Sequence, residues 1–229
     1  MLDQPSSHSP LQADLDYWQP RLAALAAAGA GDDGAHDASH LERVRRNAEA
    51  IMAEYPQADA LVVLAAAYLH DLVNLPKNDP RRSSASRLSA ELAHRLLAEQ
   101  GFPPAKLAAV AHAIEAHSFS AGIPATTLEA QIVQDADRLD GLGAVGLARM
   151  FYIAGRMGSG LAHPSDALGT ARSLDDKAYA LDHIPVKLAQ LPGMMQTAAG
   201  RALAERRLAW LEEFRQTFAA EWSGTVRDA

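Results

Sequence analysis

The stretch Ala60-Leu-Val-Val-Leu-Ala-Ala-Ala-Tyr-Leu-His-Asp-Leu-Val73 is apolar through Leu69 and then sets His70 beside Asp71. It has no polar stripe, so as a helix it must be central and buried on all sides. An ionised carboxylate buried without a partner costs several kcal/mol or more. Something must therefore neutralise Asp71. A divalent ion with His70 as a second ligand is one answer; an Arg or a helix N-terminus is the other.

The chain around this stretch has 229 residues, 48% of them hydrophobic. Ala is abundant, and apolar residues recur at helical spacing. The class expected is all-α, a single domain over 1–229. The net charge of −7 argues against a duplex-DNA or anionic-membrane binder, and does not exclude a small phosphorylated substrate. There is no Cys, hence no disulfide, thiolate zinc site or cysteine nucleophile. No signal peptide or membrane span is read, so the expected location is cytoplasmic.

Upstream, the spacing predicts a helix over about 12–28 with Leu15, Trp18, Leu22 and Leu25 on one face. A second, over about 40–54, carries Val44, Ala48 and Ile51 inward, with His40 on the same face and Ser39/Glu42 as a capping box. The central helix is expected from about Asp59 to Val73. Downstream, helices are expected over about 84–100, with Leu88, Leu92 and Leu96 in register, and over about 105–117, with His117 inward. Thr126/Glu129 forms a second expected capping box for a helix containing Gln134-Asp-Ala-Asp-Arg-Leu-Asp140, softened by Gly141, Gly143 and Gly146. A long loop over 158–173 precedes expected helices over about 175–191 and 194–222.

The core-facing His40, the His70-Asp71 pair and one of Asp135 or Asp137 come from three separate helices. Three or four N/O ligands drawn from a bundle are a usual way to hold Zn, Mn, Fe or Mg. Helical spacing puts Asp135, not Asp137, on the Leu128-Ile132-Leu139 face. Lys77, Arg43 and Arg138 are candidate contacts for phosphate oxygens. His117 is a candidate phosphate contact or second-metal ligand, and His36 is divided between loop structure and site. Asp175-Asp176-Lys177 and Asp182-His183…Lys187 could close over the site or form a charged helix face.

His40 with Arg43-Val44, then Leu69-His70-Asp71, then Ala136-Asp137-Arg138-Leu139 resemble the H…HD…D pattern of the HD-domain superfamily of metal-dependent phosphohydrolases. His36-Asp-x-x-His40-x-x-Arg-Val44, Glu115-Ala-His-Ser-Phe-Ser120 and Gln134–Asp140 resemble a bacterial HD-hydrolase branch close to nucleotide pyrophosphohydrolases. The resemblance implies a helical bundle with an HD core over about 36–157 and a C-terminal helical part over about 174–222. It implies one divalent ion, drawn from Mn, Mg, Co, Ni, Fe or Zn with Mn or Mg favoured, on His40, His70, Asp71 and Asp137. Asp135 then becomes a neighbour that orients a ligand or water. Related nucleotidases place an acid a few residues after the HD pair, where this chain has Asn74. The base is then Asp79, Asp135 or the ion's own water. The implied activity is hydrolysis of a phosphoester or phosphoanhydride in a nucleotide or similar metabolite. The alternatives are a non-catalytic nucleotide or metal sensor and a di-iron oxygenase, for which this ligand set is too sparse. A homodimer is left open.

Overall fold

A computed structural model describes residues 10–29, 38–75, 79 and 81–224. The described residues form helices α1 (Pro10–Gly29), α2 (Ala38–Met52), α3 (Ala60–Leu69), α4 (Ala85–Glu99), α5 (Pro104–His117), α6 (Leu128–Asp140), α7 (Gly143–Arg156), α8 (His183–Val186) and α9 (Ala198–Trp222). Among these residues the only β pairing is an isolated parallel bridge between Gly160 and Tyr179. The class is all-α, as expected. No helix among the described residues is long and apolar enough to cross a membrane. The chain divides into two compact units, Met1–Gln134 and Asp135–Ala229, with the boundary inside α6.

In the first unit α3 is the axis, packed by α1, α2, α4 and α5. Leu61 through Leu69 are all buried, which the absence of a polar stripe required. Each large apolar side chain buried there contributes on the order of 1.5–3 kcal/mol. Asp59 caps the helix, its Oδ1 accepting from the amides of Leu61 and Val62. Lys106 of α5 pairs with the other oxygen, and Glu129 of α6 accepts from the Asp59 amide at 2.9 Å. Trp18 of α1 meets Phe102 edge-on, with ring centroids 4.9 Å apart.

Several expectations are corrected. α3 ends at Leu69, so His70 and Asp71 sit in the turn beyond it rather than within a helix reaching Val73. α4 buries Ser86, Ser89, Ala90, Ala93 and Leu97, while Leu88, Leu92 and Leu96 are only partly covered. Small residues win that face because α4 lies against α5. Neither expected capping box forms. α2 starts at Ala38, and Glu42 pairs with Arg45 and Arg46 instead. Thr127, not Thr126, caps α6 by accepting from the Ala130 amide, because Glu129 is drawn to Asp59.

In the second unit α7 and α9 pack together, with short helical turns between them in sequence. The glycines after α6 make a corner rather than soften a helix. Gly143 has φ +73°, and a Cβ on Gly146 would come within 2.3 Å of the Gly141 backbone. The helix expected over 175–191 is broken into the turn Ala180–Asp182, the single-turn α8 and the turn Leu188–Gln190. The cause is Asp182: buried, it takes two hydrogen bonds from Arg172 and one from the Asp175 amide.

Candidate metal centre

His40 comes from the first turn of α2, His70 and Asp71 from the turn after α3, and His117 from the last residue of α5. All belong to the first unit. The imidazoles are buried, while the Asp71 side chain keeps 24% of its surface exposed. The Nε2 atoms of His40 and His70 stand 3.8 Å and 3.7 Å from Asp71 Oδ2, and that of His117 stands 3.6 Å from Oδ1. The ligand atoms of His70, Asp71 and His117 all lie within 4.8 Å of one another. The His70 ring is 4.7 Å from that of His117 and 5.4 Å from that of His40.

These Nε2–oxygen separations are too long for direct hydrogen bonds. They suit atoms that would share an ion, since neighbouring ligands about 2.1 Å from one cation stand about 3.0–3.4 Å apart. The outer nitrogens set the tautomers. His70 Nδ1 lies 2.9 Å from the Ala67 carbonyl and His117 Nδ1 lies 2.6 Å from that of Ile114. A carbonyl only accepts, so each Nδ1 carries the proton, and in the neutral ring Nε2 turns a lone pair toward Asp71. Imidazole nitrogens around a carboxylate are a donor set that fits a divalent cation, and the exposed part of Asp71 leaves a side open.

The neighbours hold this arrangement. Ser89, buried on α4, accepts from the Val73 amide at 3.0 Å and pins the turn carrying His70 and Asp71. Glu42 ties α2 to α3, accepting from Arg45 and, at 2.9 Å, from the Tyr68 hydroxyl. The Arg45 guanidinium holds its carboxyl down to about 2. Burial, then the Glu42 carboxylate, push Tyr68 up to about 12. Gln134 donates to the Ala116 carbonyl at 2.6 Å, beside His117. In the sequence, Ser89 and Tyr68 stand out only as a small residue on α4 and a hydroxyl in an apolar run.

The other candidate residues fall in different places. His117, expected as a phosphate contact or second-metal ligand, lies in one cluster with His70 and Asp71. Arg43 is half-buried and donates to the Ser39 hydroxyl at 2.7 Å. Lys77 and His36 lie outside the described residues. Asp79 is bracketed by Arg81, which supplies its amide, Nε and Nη2; the guanidinium bonds first, then the amide, lower its acidity range below that of an ordinary carboxyl.

Asp137 is half-buried on α6, in the second unit with Asp135. Asp135 is fully buried, as helical spacing required. Its Oδ1 accepts from the Gln196 amide, and its Oδ2 accepts from the Thr197 amide and hydroxyl, at 2.7–2.8 Å. Burial raises its pKa against the lowering effect of those bonds. Both acids considered as bases are thus committed, Asp79 to Arg81 and Asp135 to the start of α9. Arg138 is tied to the Met194 carbonyl, and burial lowers its pKa. Asp176 gathers Lys187 at 2.8 Å and His183 at 3.0 Å within the second unit.

Comparison with known proteins agrees with this geometry. The model of the HD domain family matches residues 37–142. The protein YpgQ of Bacillus subtilis strain 168 is 34% identical over 187 residues, covering 80% of this chain and 82% of its own. The crystal structure of Bacillus subtilis YpgQ in complex with ADP matches with a TM-score of 0.68 at 30% identity, covering 89% of this chain and 97% of that one. An HD-superfamily hydrolase from Bacillus thuringiensis matches with a TM-score of 0.69 at 26% identity, covering 93% and 98%. The family-model match and the 34% identity to YpgQ over most of both chains agree with the His70-Asp71 turn found here: the chain belongs to the HD-domain superfamily.

Proposed function

We propose that the protein is a metal-dependent phosphohydrolase that cleaves a phosphoester or phosphoanhydride bond in a nucleotide or similar small metabolite. One observation carries this reading: the Nε2 atoms of His40, His70 and His117 converge on the Asp71 carboxylate at 3.6–3.8 Å. His40, His70 and Asp71 would hold the ion, with His117 beside them. Asp137 completes the set on the strength of the motif Asp137-Arg138-Leu139. A divalent ion there, Mn or Mg in first place, supplies the positive charge that acidifies water and draws electrons from phosphorus.

The chain's own residues do the rest. The Nδ1–H bonds to Ala67 and Ile114 keep the rings of His70 and His117 oriented. Arg43, and Lys77 six residues after Asp71 in the sequence, supply positive charge for the phosphoryl oxygens. Asp79 and Asp135 are not used as bases, because each carboxylate is already occupied. The ADP complex of the YpgQ relative supports a nucleotide as substrate.

The test is a panel of nucleoside mono-, di- and triphosphates with Mn²⁺, Mg²⁺, Co²⁺ and Ni²⁺, with products read by phosphorus NMR. Turnover of a phosphorylated nucleotide under at least one metal is expected, and the product tells phosphate from pyrophosphate release. A second reading, a sensor that binds without cutting, rests on Asn74, an exposed amide just past the HD turn where related enzymes carry an acid. Tight binding with no product under every metal selects that reading.

A further inference from the structure

The most exposed large apolar side chain among the described residues is Phe119, with 76% of its surface open. It stands two residues after His117, whose buried imidazole belongs to the candidate metal centre. The backbone makes this abrupt change. α5 ends at His117, Ser118 is extended with ψ 125°, and Phe119–Ala121 form a single helical turn that buries none of its side chains. Gly122, at φ +63°, closes that turn, and the Ser118 and Ser120 hydroxyls bond to each other at 3.0 Å. A phenyl ring held in water forgoes the stabilisation that an apolar face would give it.

Two links tie this ring to the metal centre, and both lie within the first unit. The first is the chain itself. Two residues span at most about 7 Å, so the Cα of Phe119 is within that distance of the Cα of His117. The second is packing. The turn Phe119–Ala121 adjoins the turn Arg82–Ser84, and Arg82 donates to the Leu75 carbonyl at 2.7 Å. Leu75 comes four residues after Asp71, where the chain leaves the turn that carries His70 and Asp71.

A nucleotide has two unlike ends. Its phosphates are charged and suit a cation; its base is flat and suits the face of an aromatic ring. His40, His70, Asp71 and His117 answer only the first end. We propose, resting on the nucleotide reading of this centre, that Phe119 is the platform on which the substrate's nucleobase stacks while the phosphates lie at the metal centre. Phe119 is thus a specificity residue for nucleotides over phosphates that carry no base. The Ser118 and Ser120 hydroxyls are turned to each other, which leaves the ring as the recognition surface of the turn. Stacking accepts every base, because each has a π-face, so selection among bases is weak.

The experiment is calorimetric binding of two probes to the full chain at one fixed Mn²⁺ concentration. One is α,β-methylene-ADP, whose bridge between the phosphorus atoms resists hydrolysis; the other is methylenediphosphonate, the same bridge without the nucleoside. Wild type, Phe119→Ala and Phe119→Trp are compared, with circular dichroism on each. The side chain is exposed, so both variants are expected to fold as the wild type does. Phe119→Ala is expected to weaken methylene-ADP binding about five- to a hundred-fold and to leave methylenediphosphonate binding within about two-fold. Phe119→Trp keeps a stacking face and is expected to bind methylene-ADP at least as tightly as the wild type. Unchanged methylene-ADP binding in Phe119→Ala overturns the proposal and leaves the phosphohydrolase reading standing. So does equal weakening of both probes, which would assign the ring to the metal end, or a loss in Phe119→Trp as large as that in Phe119→Ala. A wild type that binds neither probe removes the nucleotide reading, and the stacking platform with it.

Discussion

His117 Nε2 lies 3.6 Å from Asp71 Oδ1, the oxygen opposite the one that His40 and His70 face. The His117 ring is fixed by its bond to the Ile114 carbonyl, which turns Nε2 toward Asp71. His117→Ala is expected to lower affinity for Mn²⁺ by about 10–100-fold while the chain stays folded. Metal titration by calorimetry checks this. Unchanged affinity would return His117 to the role of an ordinary core histidine.

Asp79 and Arg81 form a local clamp in which the amide and guanidinium of one residue serve the carboxylate of the other. An acid held in its charged form by a guanidinium is a poor proton acceptor at catalytic pH. Asp79→Asn is therefore expected to keep turnover within about three-fold of wild type. A loss of 10²-fold or more in kcat, the range of a removed base, would restore Asp79 to that role.

Gly200 is conformationally ordinary yet spatially constrained. A Cβ there would stand 2.4 Å from Asp135 Oδ2 and 2.7 Å from Thr197 Oγ1, atoms already bonded to each other. Gly→Ala in a helix normally gains up to about 1 kcal/mol. Here the crowding outweighs that gain, and Gly200→Ala is expected to destabilise by about 1–3 kcal/mol. Urea unfolding checks the sign; a stabilised variant would show that the Asp135–Thr197 junction yields easily.

The pairing of Asp176 with Lys187, together with His183, lowers the pKa of the Asp176 carboxyl against the opposing effect of burial. A carboxyl lowered in the folded state contributes stability above its unfolded value, about 3.9, and loses it as pH falls through the folded value. Asp176→Asn should be less stable than wild type at neutral pH, and the gap should close below about pH 4. Thermal unfolding across pH 6 to 3 measures it. A gap that persists at low pH would assign the loss to packing instead.

What the sequence made legible followed from patterns local to one helix. Ten apolar residues ahead of His70 announced a buried central element, and α3 is buried through Leu69. His117 read as inward because it continues the apolar face of α5, and it is buried. Helical spacing assigned Asp135 to the core, where it lies. The misreadings came from contacts between distant residues. Leucines on α4 suggested the wrong face, because close approach to α5 selects Ser89, Ala90 and Ala93. Glu129 read as a cap for its own helix and instead serves Asp59, seventy residues away. Arg172 breaks an apparent helix by drawing in Asp182, which no periodicity registers.

The central claim is that the turn carrying His70 and Asp71 holds a divalent ion on which hydrolysis depends. The direct measurement is metal content by elemental analysis beside nucleotide turnover, on wild type and on Asp71→Ala, each supplied with the same Mn²⁺. The account predicts about one equivalent of ion and measurable turnover in the wild type, and loss of both in the variant. Full turnover by an Asp71→Ala protein that retains no metal would contradict it.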